Sequence, residues 1–206
     1  MRSKMTKSIP SIYFRSPEAD IDNLYYDAME LLNGNRNHAK RAEALLMRAL
    51  KLDPHYVQTH IGFAHVYGAL KDKQKAHAHM ETAYNETIKK FPKWPRRMLW
   101  GEIENRAYMR AIQYKADLFA DNGEKEAAIE LYRLLLKLNP SDNQGVRYTL
   151  AGVCAGISGK EVNDLFDEGN EKQNWDELEK LVQKQNALHH FWDGPNWTKP
   201  RAKKSD

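Results

Sequence analysis

Apolar residues along this chain recur mostly at intervals of three and four positions, which is the period of an amphipathic α-helix. The first series follows Ser16 and Pro17, a pair typical of a helix N-cap and first turn, and it stops at residues 33–35, which read Asn-Gly-Asn. The second series ends at Asp53 and Pro54. Because alternating, strand-like runs are nearly absent, the pattern predicts an all-α fold of about nine helices joined by short turns.

Three later helix starts are marked by pairs of residues that lie three positions apart. In a capping box, the first side chain accepts a hydrogen bond from the backbone N–H three residues on, and the second side chain accepts one from the backbone of the first. The pairs that fit this spacing are Ser141 with Gln144, Ser158 with Glu161, and Asn174 with Glu177. We therefore expect helices to begin directly after the first member of each pair.

A period of 34 residues relates the second helices of successive helix pairs. Within each of them, a small residue is followed four positions later by a large apolar one and three positions beyond that by another small one. The two triplets are Ala42, Leu46 and Ala49, and then Ala76, Met80 and Ala83. Small residues let antiparallel helices approach closely, and the large residues fill the groove between them. One such hairpin cannot bury its own apolar face, so the pairs are expected to stack with these alanines buried.

A third copy of the spacing follows after an insertion. It comprises Gly123, Ala128, Tyr132, Leu135 and Pro140. The distance from Ala76 to Ala128 is 52 residues, which exceeds one period by 18. The sequence therefore predicts an insertion between the second and third units.

These residues resemble the tetratricopeptide repeat, a family of helix–turn–helix units with this period. The resemblance covers about residues 20–170 and is strongest over residues 123–132 and 138–140, although His60, Ile112 and Val146 stand where the family often has tryptophan. It implies a right-handed solenoid of three to four hairpins. A capping helix at about residues 174–189 would close the array with one apolar side. That side comprises Trp175, Leu178, Leu181, Val182 and Leu188.

Charge divides the chain into three segments. We expect a basic N-terminal tail at residues 1–16, a repeat domain at 17–190 with an aromatic insertion at about 89–106, and an aromatic and basic C-terminal tail at 191–206. The net charge is +4, but residues 1–15 carry +4 and residues 199–206 carry +3, so the part between them carries −3. Specific nucleic-acid binding is therefore not expected.

Two further sequence features concern the surroundings of the protein. The sequence has no apolar run long enough for a membrane span and no apolar core of a secretory signal near its start. Its one cysteine, Cys154, excludes an internal disulfide and fits a reducing compartment, so we expect a cytoplasmic protein.

Patterns that could carry catalysis or bind a metal fail on spacing. The segment 152–160 looks like a phosphate-binding loop, but Cys154 replaces its first glycine and Glu161 follows the lysine where Ser or Thr would be needed. His77 and His79 point to different helix faces, so they do not form a metal site. We predict no enzymatic activity, no metal and no cofactor, with a small hydrolase or transferase of unrecognised site as the least favoured alternative.

The resemblance implies that the first helix of each pair lines the inner wall of the superhelix. The family positions carried over to this chain are Gln58, Ile61 and His65 in the second unit, Arg110, Gln113, Tyr114 and Asp117 in the third, and Arg147 and Tyr148 in the fourth. Two arginines with two tyrosines would suit an acidic or aromatic peptide through bidentate contacts and stacking. The alternative interpretation is that these residues hydrogen-bond between helices. The carboxylate clamp of some family members is not expected, because Asp27 and Leu31 occupy its first-unit positions.

Two aromatic segments complete the set of candidate contacts. The insertion contains Trp94 and Trp100 together with two prolines, which indicates an ordered loop that either rims the groove or seals the core. The segment from Phe191 to Trp197 either folds back on the last helix or serves as a docking peptide. The sequence thus predicts a non-enzymatic scaffold that binds a protein or peptide in its groove. The alternative is an accessory or regulatory subunit that uses the loop or tail, and homo-oligomerisation stays open.

Overall fold

The computed structural model describes residues 17–32 and 36–194, and within these ranges the chain forms nine α-helices and no β-strand. The helices are α1 (Pro17–Leu31), α2 (Arg36–Leu52), α3 (Val57–Ala69), α4 (Lys73–Lys90), α5 (Ile103–Asp121), α6 (Lys125–Leu138), α7 (Val146–Ala155), α8 (Gly159–Lys172) and α9 (Asp176–His189). The all-α prediction is confirmed. None of the helices in these ranges combines the length and apolar character that a membrane span requires.

The first six helices form three stacked hairpins: α1 with α2, α3 with α4, and α5 with α6. The first helices of these pairs lie side by side, because α1 contacts α3 and α3 contacts α5, whereas the second helices do not pack extensively on one another. The side formed by α1, α3 and α5 is called the first-helix face below. The helical-repeat prediction is confirmed, and the right-handed sense of the stack stays a prediction.

Small residues occupy the helix contacts as the spacing predicts. Ala42, Ala49, Ala83 and Ala128 are completely buried. Ala76 is only half-buried, since it lies in the first turn of α4, and it packs against the apolar cluster of the first two pairs. The predicted burial therefore holds for four of the five alanines, and Ala76 is the weakest probe of helix packing.

The insertion between α4 and α5 is ordered and is fixed to the end of α6. The backbone N–H of Met98 donates to the carbonyl of Leu138 at 2.8 Å, and the Arg97 guanidinium donates to the carbonyl of Lys137 at 2.8 Å. The last carbonyls of a helix have no partner within it, so these bonds satisfy groups that α6 leaves open. The Met98 side chain is buried in the core, and the insertion thus covers the edge of the third pair.

The regular stacking ends at α7. This helix packs mainly against α6 and α9, while α8 makes the contact with α5. In the capping helix α9, Leu178 and Val182 are buried as predicted, but the expectation for Leu188 is wrong because its side chain is 66% exposed. The chain turns at His190 in a left-handed conformation just after α9, so Phe191 takes the buried position.

Only one of the three predicted capping boxes forms. Ser158 and Glu161 make both reciprocal bonds at the start of α8. The prediction for Ser141 is wrong, because the carboxylate of Asp142 instead accepts from the backbone N–H groups of Val146 and Arg147 at 2.7 and 3.1 Å. A carboxylate is the stronger acceptor at the positive end of a helix. The third box is also absent, since Asn174 accepts from the N–H of Asp176.

The chain after α9 folds back onto the body as far as residue 194. The indole N–H of Trp192 donates to the carbonyl of Pro140 at 2.9 Å. The side chain of Asn186 bonds to the backbone of Phe191 and Trp192. The first aromatic residues of the predicted C-terminal tail are therefore part of the packed domain. Trp197 and the basic residues after it lie outside the described residues, as does the basic segment 1–16.

Candidate partner-binding face

An exposed arginine lies on α5 at the first-helix face. The guanidinium of Arg110 lies 5.7 Å from the ring centroid of Trp100, and that of Arg106 lies 5.2 Å from the same ring. Arg106 also donates from Nε to the carbonyl of Trp100 at 2.9 Å. Both guanidinium groups are attracted by the quadrupole of the indole ring. The half-buried Trp100 therefore orients both arginine side chains through cation–π contacts.

The charge of Arg110 acts on groups from two other helices. On α3, burial first and then the Arg110 charge lower the pKa of His65 below its ordinary value, although the ring keeps exposed surface. On α1, burial raises the pKa of Tyr25, and Arg110 opposes that rise. The charge of Arg110 on α5 thus acts on groups of α3 and α1, which pack in series beside it. Because burial and the Arg110 charge disfavour the protonated form of His65, the positive charge at this place comes mainly from arginine.

The other predicted residues of α5 are engaged between helices. Gln113 accepts a hydrogen bond from the amide of Gln144 at 2.7 Å. The hydroxyl of Tyr114 bonds to Nδ1 of His77 at 2.8 Å, which ties α5 to α4. The carboxylate of Asp117 accepts from the hydroxyl of Tyr132 at 2.7 Å.

These contacts fit the alternative interpretation, in which the residues serve packing. Burial raises the pKa of Asp117, while the bond from Tyr132 lowers it. Gln113 and Asp117 also line a cleft of about 890 Å³ between α5 and the α7–α8 turn. Their role in binding a partner stays a prediction.

Arg147 and Tyr148 lie in a separate network that fastens α7 to α9. Arg147 donates to Asp142 at 2.9 Å and forms an ion pair with Glu179 at 3.2 Å. The hydroxyl of Tyr148 bonds to both Arg147 and Glu179. The guanidinium also lies 4.0 Å from the Tyr148 centroid and 5.0 Å from that of Trp192.

The structure therefore does not bring Arg147 and Tyr148 together with Arg110. Their polar groups bond within the molecule, apart from Nε of Arg147, which is buried without a hydrogen-bond partner among the described residues. Internal bonding of this kind leaves the guanidinium little capacity for an external carboxylate.

The remaining predicted residues differ in accessibility. Trp94 is half-buried and stacks on Phe91 with ring centroids 6.1 Å apart, which favours a sealing role for this part of the insertion. Ile61 is buried in the core between α3 and α5. Gln58 is also buried, but it lines a cleft at the edge of the first-helix face.

Sequence reasoning missed Arg106 and Tyr25. Arg106 had a usable signal, because it precedes Arg110 by four residues and so lies on the same helix face. No sequence signal pointed to Tyr25, because its place relative to Arg110 depends on how α1 packs against the other helices. Among the described residues, no group of three His, Cys, Asp or Glu side chains is arranged to hold a metal ion.

A comparison with protein families finds a match to part of the chain. The family model described as tetratricopeptide repeat matches residues 110–142, which cover most of α5, all of α6 and the turn that follows. No curated protein and no solved structure matches the chain. The resemblance predicted from the sequence is thereby confirmed, and Arg110 is the first residue of the matched unit.

Proposed function

We propose that this chain, in which residues 110–142 match the tetratricopeptide repeat, is a protein–protein interaction module whose first-helix face binds an acidic segment of a partner. Arg110 receives a carboxylate of that segment. Trp100 and His65 flank the contact from the insertion and from α3.

The observation that carries this proposal is the state of Arg110. Its side chain is exposed, and it forms no salt bridge within residues 17–32 and 36–194. By contrast, Lys115 on the same helix is paired with Glu81 at 2.8 Å. A guanidinium oriented by an aromatic ring and left without an acid retains its paired donors for a carboxylate.

A contact through the insertion is a second candidate, and one observation favours it. Leu99, which precedes Trp100, exposes 55% of its surface, and Ile103 at the start of α5 exposes 56%. An acidic segment that also carries an apolar residue would cover both the cation and this apolar surface. The insertion then contributes to the same interface and is not a separate one.

The test measures binding of a fluorescein-labelled decapeptide of alternating Glu and Ala by fluorescence anisotropy, with a Ser/Ala decapeptide as reference. We expect R110A to weaken binding of the acidic peptide by about five- to tenfold, because it removes a charge-assisted but solvent-exposed contact. Added salt should weaken binding as well.

The matched control is R48A. Arg48 is an exposed arginine on α2, one of the second helices, so its removal changes the net charge equally. R48A should leave affinity within error of wild type, and both variants should melt as wild type does. Equal weakening by R48A and R110A, or equal binding of the Ser/Ala peptide, would refute the proposal.

A further inference from the structure

A polar cleft of about 490 Å³ opens at the edge of the first-helix face, where the starts of α3 and α5 meet α1 and the end of α4. It is distinct from the Arg110 contact and lies on the N-terminal side of it along α3 and α5. The side chains on which the inference depends are Asp22, Asp53, Tyr56, Gln58, Glu104 and Tyr108.

One lining residue, Gln58, is largely buried at 7% exposure, and its amide has no hydrogen-bond partner among the described residues. Its amide nitrogen and oxygen are not among the fully buried polar atoms that lack a hydrogen-bond partner, so they reach the cleft. An amide that reaches a cleft with no partner inside the protein keeps its donor and its acceptor for a ligand.

The charges of the cleft are predominantly negative. Glu86 is paired with Lys89 at 2.7 Å and lies 3.3 Å from His55, so its charge is met within the protein. The cleft also holds Asp22, Asp53 and Glu104, and none of these three forms a salt bridge with another described residue. Against these three carboxylates, the described lining adds one further lysine, Lys90.

Two tyrosines line the cleft together with the three acids that form no salt bridge. The hydroxyl of Tyr56 donates to Asp22 at 2.7 Å. Burial raises the pKa of Tyr108, the charges of Glu104 and Asp53 raise it further, and all three side chains line the cleft. Aromatic rings next to carboxylates attract a cation through the ring faces as well as through charge.

We propose that this cleft binds the cationic side chain, an ammonium or guanidinium group, of a lysine or arginine in a protein partner. The amide oxygen of Gln58 and the carboxylates of Glu104 and Asp22 accept its hydrogen bonds. The rings of Tyr56 and Tyr108 line its aliphatic stem.

A purely structural role does not explain the whole arrangement. Acids near helix N-termini stabilise helices, and this accounts for Glu104 in the first turn of α5. Asp53 lies in the turn between α2 and α3, where its carboxylate accepts from the backbone N–H of His55 at 2.7 Å. Asp22 lies well inside α1, beyond the first turn, so the helix-terminus effect does not account for it. Nor does it account for the amide of Gln58, which lines the cleft and has no hydrogen-bond partner among the described residues.

This step rests on the proposed function. Together, the cleft and the Arg110 contact give the first-helix face a negatively charged end and a positively charged end. Gln58 and His65 are seven residues apart on α3, which corresponds to roughly 10 Å along a helix. A segment in the polyproline II conformation has three residues per turn and rises about 3.1 Å per residue, so residues three positions apart lie on one face about 9 Å apart. The preferred partner segment therefore carries, in this conformation, a basic residue and an acidic residue three positions apart.

The test uses a decapeptide of alternating Lys and Ala as the probe, followed by fluorescence anisotropy and by amide NMR shifts of the full chain. We expect binding to the wild type with shifts at Gln58 and Tyr108. E104Q should weaken this binding at least threefold. E126Q is the matched control, because Glu126 lies in the first turn of α6 and outside the cleft, and it should not change the affinity.

A second variant separates binding from folding. Q58M keeps the volume of the side chain but removes the amide, so it should weaken binding of the Lys/Ala peptide while the melting temperature stays equal or rises. R110A should not weaken this binding, so a failure of the Arg110 contact is distinguishable from a failure of the cleft. Equal effects of E104Q and E126Q, unchanged affinity of Q58M, or no shifts at the cleft would overturn the proposal.

Discussion

A single methyl group at Gly152 tests the packing of α7 against α8. Gly152 lies inside α7, and a Cβ atom there would stand 2.4 Å from Cγ2 of Val162 on α8. Carbon atoms in contact normally stay at least about 3.5 Å apart. Val162 is buried, and its β-branched side chain has one strongly preferred rotamer in a helix, so it cannot simply turn away.

Two opposing effects determine the change in stability of G152A. Replacing glycine by alanine inside a helix gains about 1 kcal/mol through backbone entropy. Overpacking of a buried contact costs about 1–3 kcal/mol. The net expectation is a loss of about 1 kcal/mol, which lowers the melting temperature of a chain of this size by about 2–4 °C.

Gly68 provides the matched control, because it is also helical but an added methyl group would meet no described atom within 4 Å beyond the backbone of its own helix. G68A should therefore gain stability, by up to about 1 kcal/mol. Both variants would be measured by thermal and urea unfolding followed by circular dichroism. The two substitutions are chemically identical, so opposite signs isolate the contact with Val162.

A G152A variant as stabilising as G68A would refute the expected clash with Val162. A double-mutant cycle with V162A checks the cause, because shortening Val162 makes room for the new methyl group. The loss in G152A/V162A should be smaller than the sum of the two single losses. Additive losses of unfolding free energy would show that the contact with Val162 does not cause the destabilisation of G152A.

Two further predictions concern titration and the α7–α9 network. The pKa of His79 is lowered to about 4 by burial first, then by the charges of His60 and Lys75. The unfolded chain therefore binds more protons than the folded one between about pH 6.5 and 4, and stability should fall as the pH drops through that window; H79F should show a smaller fall in melts compared at pH 7 and 5. R147A leaves the carboxylate of Asp142, which is 1% exposed, without its ion pair; we expect a loss of about 3 kcal/mol in urea unfolding but unchanged affinity for the acidic peptide. A stable R147A would show that the ion pair contributes little.

Much of the fold follows from local sequence properties. Apolar periodicity and turn residues place nine helices in the described part of the chain, because both act over a few neighbouring positions. The spacing of alanines predicts which helix surfaces touch, and the complete burial of Ala42, Ala83 and Ala128 agrees with it. The structure differs from the sequence-based predictions where a residue contacts a partner that is distant in sequence.

The binding face was less predictable for the same reason. Arg110 and Arg147 look equivalent in the sequence, since both occupy inner positions of a first helix. Arg147 is engaged because α9 brings Glu179 to it, 32 residues later in the chain. Arg110 meets an indole from the insertion and, within the described ranges, no acid. Which arginine is available therefore depends on tertiary packing that no local pattern encodes.

The bonds between the insertion and the end of α6 also affect how the array unfolds. Repeat arrays contact only their neighbours, so their units tend to fray one at a time. Here Arg97 bonds to Lys137 across 40 residues and encloses α5 and α6 between the two bonded positions. Unfolding of the end of α6 therefore breaks the bonds that hold the insertion. Fraying at this end of the third unit is thus coupled to release of the insertion and of Trp100, which follows Met98 in it.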